Sequence, residues 1–448
     1  MLFNTLTYLL FLPIVFVLYW YARNARQQNL VLLIASMFFY GWWSIGHLTL
    51  MLATCMFNYI MLHCIQNFER KKFWLAVTLF TNFGILGVFK YYNFFAENLV
   101  EAMSLIGVML DFPTINLVLP VGISFYIFQL SGYAIDIFRN PHRKEISVLD
   151  YFTFITFFPQ LVAGPIERGH DIIPQIKQTR QFDFDVACEG MRLILWGLIK
   201  KMLLADNCAS MADYVFANYT TVSLLDLWLG ALFFTFQIYG DFSGYSDIAV
   251  GSARLLGINI HNNFNKPYFA KSIQDFWRRW HITLMTWFKD YVYIPLGGNR
   301  RGAPRKQFNI FSVFVLSGLW HGANWTFVCW GLYHALWFIL PHKWLTFIIV
   351  MIGWVIFRSP DMTVASQYIG GMFSPSLWGA TTCSRMPLLL ILIFILVEWF
   401  SRTREHPFNF KPTGWMSYQW IRMFIYLLAF LAVIFLGGKQ IQFIYFQF

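Results

Sequence analysis

The chain has 448 residues, of which 58% are hydrophobic and only 12% charged, with a formal charge of +11. Soluble domains carry about 25% charged residues, so this composition excludes an ordinary soluble protein. Cytoplasmic loops of membrane proteins accumulate such a positive balance, and it does not call for a nucleic-acid partner.

In chain order, the apolar runs "LTYLLFLPIVFVLYW", "NLVLLIASMFFYGWW" and "FWLAVTLFTNFGILGVF" open the sequence, and "LLLILIFILVEWF" lies near its end. A helix needs about 20 residues to cross a bilayer. On that measure the pattern predicts an all-α polytopic bundle of about ten or eleven transmembrane helices plus re-entrant or interfacial pieces. The first run has no basic n-region and no A-x-A site, so it is expected to remain as the first span. Arg23 and Arg26 follow that span, Arg70, Lys71 and Lys72 follow the third, and Arg139, Arg143 and Lys144 follow a later one. Between the last two clusters, the loop with Glu97, Glu101 and Asp111 has no Lys or Arg. The alternation places the N-terminus outside and the basic loops in the cytoplasm, including "GGNRRGAPRK", Arg402 and Arg404.

One domain with three zones is expected: N-terminal spans over 1–110, a core over 115–340, and C-terminal spans with an aromatic tail over 341–448. In the core, "LPVGISFYIFQLSGY", "FFPQLVAGPIERG", "YGDFSGYSDIA" and "SGLWHGANW" interrupt the hydrophobic pattern. Non-helical backbone at membrane depth survives only where protein or water satisfies it, so this zone is expected to enclose a central tunnel. The six cysteines form no C-x-x-C pair and read as packing residues. No H-E-x-x-H or EF-hand pattern is present, so no metal is expected.

Ten histidines are present. His142, His170 and His406 sit in polar loops, and His47 and His63 lie near span ends. His334 follows His321 by thirteen residues, nearly four turns at 3.6 residues each, and packing accounts for it. His281, in "DFWRRWH", and His321, in "LSGLWHGANW", stand apart. An ionisable group kept inside a membrane is a functional candidate because keeping it there is costly. Histidine accepts a proton near neutral pH and suits the role of general base at a hydroxyl. Asp275, Trp277, Arg278 and Arg279 precede His281. At helical spacing they form an interfacial helix with snorkelling arginines, a suitable mouth for an anionic donor. Asp241, Ser243, Tyr245, Ser246 and Asp247 read as helix caps or members of a polar network.

These stretches together resemble the membrane-bound O-acyltransferase family, in particular the bacterial branch that includes alginate O-acetyltransferases. The resemblance rests on "NFNKPYFAKSIQDFWRRWHITLMTWFKDYVYIPLGGNR", "LSGLWHGANWTFVCWGLYHA", "QIYGDFSGYSDIAVG", "LPVGISFYIFQ" and "VAGPIER". It implies a helical bundle with a central tunnel, with the invariant family histidine at His321 and the second at His281. Trp320 and Asn324 are candidates beside His321 by proximity in sequence. The resemblance further implies acetyl-coenzyme A as donor substrate, with no bound cofactor, and an exported partner of the SGNH-hydrolase type. The acceptor would be an extracytoplasmic polysaccharide such as an alginate-like exopolysaccharide, cellulose or peptidoglycan. Phe443, Tyr445, Phe446 and Phe448 also match an aromatic C-terminal motif of similar systems, in which the tyrosine takes the acyl group transiently. A phenol with pKa about 10 would need a base such as His321 to activate it. The alternative for this tail is an interfacial aromatic belt. A transporter or flippase is the other class compatible with interrupted spans, but the sequence shows no internal two-fold repeat.

Overall fold

The computed structural model describes residues 1–115, 117–140, 146–162, 164–340, 345–409 and 413–444, and among these every regular element is helical. The N-terminal part comprises α1 (Leu6–Tyr21), α2 (Ala25–Gly41), α3 (Ile45–Asn67) and α4 (Lys71–Leu86). A π-helical turn, Gly87–Tyr91, joins α4 to α5 (Tyr92–Ser104). Then come α6 (Ile123–Arg139), α7 (Val148–Thr156), α8 (Phe158–Leu161), α9 (Gly169–Lys177) and α10 (Phe184–Leu198). A second π-helical stretch, Ile199–Ala205, leads into α11 (Asp206–Ala217), followed by α12 (Leu224–Leu255), α13 (Ile273–Trp277) and α14 (Ile282–Phe288). The remaining helices are α15 (Gly302–His321), α16 (Trp325–Ile339), α17 (Thr346–Arg358), α18 (Met362–Gly371), α19 (Arg385–Phe400) and α20 (Gln419–Leu436).

Side-chain caps start many of these helices. Thr5, Asn24, Ser44 and Ser223 each accept a backbone N–H from the first turn of α1, α2, α3 and α12 respectively, which satisfies donors that a helix start leaves without partners. The interior is an apolar core, but the exterior is apolar as well, unlike that of a soluble protein. Leu9, Leu10, Ile14 and Val17 of α1 point outward, as do Trp420, Phe424, Leu428 and Phe435 of α20. Lys200, Lys201, Asp206 and Asp241 are buried. Such an exterior suits lipid, where every backbone polar group has to be satisfied within the helices. Among the described residues, Ile45–Asn67, Lys71–Ser104 and Gln419–Leu436 are each long and apolar enough to cross a membrane, with Leu6–Tyr21 and Thr346–Arg358 as shorter apolar helices.

The core is built around α12. "YGDFSGYSDIA", which interrupts the hydrophobic pattern, does not break its helix: Leu224–Leu255 is one continuous helix of 32 residues, buried along this stretch. At 1.5 Å per residue it is about 48 Å long, well beyond the hydrocarbon thickness of a bilayer. Its glycines allow contact rather than a break. A Cβ on Gly244 would lie 2.7 Å from the carbonyl oxygen of Gly197 on α10, and one on Gly190 would lie 2.7 Å from that of Gly251. The two helices therefore meet backbone to backbone, as small residues permit between membrane helices. The capping expectation for Asp241 and its neighbours is not met, since they lie well inside α12 and Ser223 is its cap. The network expectation holds instead, with Asp241 paired to Lys201 and Asp247 to Lys200.

The other interruptions do break helices. Among its described residues "FFPQLVAGPIERG" carries the single turn of α8 and a non-helical stretch over 165–168 before α9, and "SGLWHGANW" carries the break between α15 and α16. These two helices form a tight hairpin, because Gly318 and Gly331 bring the backbone of each against the other. His321 is the last residue of α15.

Candidate active site around His281 and His321

His281 owes its position to an unusual backbone conformation. It lies between α13 and α14 with φ 44°, one of two non-glycine residues with positive φ among those described. Such a left-handed conformation costs roughly 1–3 kcal/mol for a non-glycine residue and persists only where the surroundings enforce it. Here they do. Asn263 accepts from the Thr283 N–H and hydroxyl at 3.1 and 2.7 Å through its side chain and from the Ile282 N–H at 3.0 Å through its carbonyl. The Thr283 hydroxyl oxygen in turn accepts the Ile166 N–H at 2.9 Å. The "PIER" stretch thus braces the turn, and its two charged residues are also engaged. Glu167 accepts from the backbone N–H of His261 at 2.6 Å and contacts its ring at 2.9 Å, while Arg168 pairs with Asp290 at 3.1 Å. "DFWRRWH" is consequently not one interfacial helix: α13 ends at Trp277 and the chain turns sharply at His281.

Both imidazoles are buried, with His281 1% and His321 6% exposed. Trp320 packs against both, its ring centroid 5.8 Å from that of His281 and 4.9 Å from that of His321. Phe242 meets the His281 ring edge-on at 4.7 Å and Phe125 stacks at 6.1 Å. Trp330 and Phe357 each meet His321 at 5.2 Å. Among the described residues neither ring nitrogen of His281 has a hydrogen-bond partner. Buried polar groups are ordinarily satisfied, so such an atom marks a place where a ligand group would be favoured. His334 extends the same aromatic cluster, packing edge-on against Trp330 at 5.0 Å and Trp277 at 5.1 Å.

The end of α15 is held from the N-terminal spans. The ammonium of Lys90 donates to the carbonyls of Trp320 and His321 at 2.6 and 2.8 Å, and the Tyr91 hydroxyl donates to that of Leu319 at 2.6 Å. The last carbonyls of a helix lack partners within it, and a cation suits its negative end. The π-helical turn Gly87–Tyr91 carries both donors, an insertion of a kind often found at functional sites. Sequence reading passed over Lys90. The signal was present, as a lone ammonium in "GILGVFKYYNFF", and the argument that singled out the two histidines applies to it as well.

The other expected site residues separate. Trp277 is buried against Phe314, Trp330 and His334. Arg278 is exposed. Arg279 is paired with Asp275 at 2.9 Å, one turn earlier on the chain. Asn324 caps α16 by accepting the Thr326 N–H at 3.0 Å and donates to the Pro360 carbonyl at 2.7 Å, so its amide ties the start of α16 to the turn between α17 and α18. Tyr445 lies outside the described residues, which end at Ile444. One group among the described residues has metal-ligand character: potential ligand atoms of Glu167, Asp171 and His261 lie within 4.8 Å of one another. Its His261 and Glu167 are already bonded to each other.

The model of MBOAT, the membrane-bound O-acyltransferase family, matches residues 137–378, a span that contains both histidines, Trp320 and the whole of α12. Over 482 aligned residues the chain is 38% identical to the probable alginate O-acetylase AlgI of Pseudomonas putida, covering 98% of each. It is 37% identical to the peptidoglycan O-acetyltransferase of Helicobacter pylori, covering 83% of this chain and 80% of the relative. A weaker similarity, 29% over 50% of the chain, extends to the teichoic acid D-alanyltransferase of Bacillus subtilis. The chain belongs to the membrane-bound O-acyltransferase family, as an alginate O-acetyltransferase-like member. It is a multi-pass membrane enzyme that transfers acyl groups to oxygen.

Proposed function

We propose that this enzyme takes acetyl from acetyl-coenzyme A on the cytoplasmic side of a bacterial inner membrane and passes it through the bundle to an extracytoplasmic polysaccharide. The observation that carries this reading is the pair of buried imidazoles sharing Trp320, set in a chain whose relatives are named for O-acetylation of alginate and peptidoglycan. Coenzyme A is large and highly charged and cannot enter hydrocarbon cheaply, whereas an acetyl ester can. The alternation of basic loops supports a cytoplasmic donor side and an external N-terminus.

In this reading His321 is the general base. It accepts the proton of an attacking hydroxyl as that oxygen bonds to the thioester carbonyl carbon. The carbon–sulfur bond then breaks, and the proton passes to the departing thiolate. His281 lines the path beside Trp320. Arg278 and Arg279 belong to the donor's entrance, where Asp275 orients Arg279. Tyr445 is the relay: its phenol receives the acetyl group, and the aryl ester then donates it to a glycan hydroxyl, which regenerates the phenol. An exported partner of the SGNH-hydrolase type performs that last transfer.

The test is turnover by the purified protein in nanodiscs, with acetyl-labelled coenzyme A and release of the free thiol as readout. His321→Ala is expected to lower it by about 10² to 10⁴, the usual contribution of a general base. Undiminished turnover removes His321 from the mechanism. Tyr445→Phe keeps the ring and deletes only the hydroxyl. Glycan acetylation in cells is expected to be lost in that variant, and persistence at the original level refutes the relay.

A further inference from the structure

The segment after α20 does not continue outward. Of α20 itself only Val433 is buried, yet Phe443 and Ile444 are 0% and 1% exposed. Between them the chain turns into the bundle, and its backbone is gripped at four points. Asn207 donates to the Leu436 carbonyl at 2.9 Å, and the Gly438 N–H donates to the Met202 carbonyl at 3.0 Å. Lys201 donates to the Ile441 carbonyl at 3.0 Å, and Asp241 accepts the Ile444 N–H at 2.7 Å. At Gly438 the approach is so close that a Cβ would lie 2.6 Å from the carbonyl carbon of Asp206.

The grip is organised by a buried ionic cluster. Lys201 pairs with Asp206 at 2.7 Å and with Asp241 at 2.8 Å, all three side chains being almost fully buried. One oxygen of Asp241 faces the ammonium and the other takes the tail's N–H. Ionised groups buried this deeply are retained only when well paired, and removing one partner is strongly destabilising for the charge left behind. The π-helical stretch Ile199–Ala205 places Lys201 here, against the middle of α12. What the tail gains is a defined place beside the site. The Phe443 ring lies 4.3 Å from that of Tyr245 and 6.2 Å from that of Phe242, and Phe242 is the ring that meets His281 edge-on.

We infer that Lys201, Asp206 and Asp241 form a latch that seats the segment after α20 against the aromatic rings beside His281 and so positions the residues that follow it for group transfer. The three are positioning residues that act through the tail, and the consequence for transfer rests on the relay reading above. Hydrogen exchange of the protein in nanodiscs, followed by mass spectrometry of the C-terminal peptide, reads seating without reference to activity. In the wild type the amides of Gly438 and Ile444 are expected to be protected. Asp241→Asn is expected to speed exchange across 438–444 by at least tenfold. Gly438→Leu, which blocks docking from the tail side without changing any of the three charged residues, is expected to do the same and covers the case in which Asp241→Asn fails to fold. Unchanged protection in folded variants overturns the latch. Acetylation of the glycan measured on the same variants separates the two ideas. Faster exchange with transfer lost supports both, whereas faster exchange with full transfer keeps the seating and refutes its role in transfer, the relay itself being tested by Tyr445→Phe.

Discussion

Lys90→Met is the perturbation that most directly asks whether the spans outside the matched family region control the site. Methionine keeps most of the side-chain length and removes the ammonium, leaving the carbonyls of Trp320 and His321 without the donor now 2.6 and 2.8 Å away. A hydrogen bond from a charged donor contributes roughly 1.5–3 kcal/mol. Two such bonds, offset in part by the desolvation that the ammonium no longer suffers, leave about 2 kcal/mol acting on the end of α15. If that loss falls on the placement of His321, it corresponds to about thirtyfold in rate at 1.36 kcal/mol per tenfold. The assay is thiol release from acetyl-coenzyme A in nanodiscs over a range of donor concentrations. The expected outcome is a kcat about thirtyfold lower with KM nearly unchanged, and partial recovery in Lys90→Arg, which restores a cation with different geometry. A folded Lys90→Met protein with wild-type kcat refutes the reasoning. A rise in KM alone would assign Lys90 to donor binding instead.

Two further substitutions probe the frame. Gly244→Val forces side-chain atoms into a space where even a Cβ would lie 2.7 Å from the Gly197 carbonyl oxygen. It is expected to cost about 1–3 kcal/mol as overpacking, seen as a lower unfolding temperature in detergent; an unchanged temperature would refute backbone contact between α10 and α12. The clasp between His261 and Glu167 predicts a pH dependence. The Glu167 hydrogen bond raises the His261 pKa above its ordinary value of 6.5, with Asp171 adding to the effect and burial and Arg168 opposing it. Because the folded-state value is the higher one, the clasp stabilises fully below about 6.5 and its contribution fades as pH rises through the raised value. The unfolding-temperature gap between wild type and His261→Gln is therefore expected to be widest on the acidic side and to close in alkali. A gap that widens with pH contradicts the assignment.

Membrane residence and helical architecture were legible because each rests on local chemistry, and the two histidines stood out as candidates for the same reason. A run of apolar residues requires lipid, and an ionisable ring in "LSGLWHGANW" or "DFWRRWH" is costly wherever it sits. Spacing could not show how polar groups are matched across the chain. Asp241 was legible as a polar residue in an apolar segment, but capping and ion pairing look alike until Lys201, forty residues earlier, is seen beside it. "YGDFSGYSDIA" was legible as unusual, but its glycines suggest a break until α10 is seen against them. Arg279 and Asp275, adjacent on one turn, form the pair that their spacing allows. Asn324 was attached to His321 by nearness in sequence, yet its amide is engaged in capping α16.

The amino-acid sequence by itself determined the solvent of this protein and the residue types able to perform acyl transfer, because hydrophobic content and the cost of burying an imidazole are properties of the residues. Only the tertiary structure decided what surrounds those residues. It set Trp320 against both imidazoles, brought Lys90 from the N-terminal spans to the end of α15, and turned the segment after α20 inward onto Asp241 and Lys201. The contacts of Trp320 with His281, of Lys90 with α15 and of the tail with Lys201 and Asp241 join segments 39 to 240 residues apart, and close packing of helices, unlike periodicity, leaves no mark at a fixed spacing along the chain.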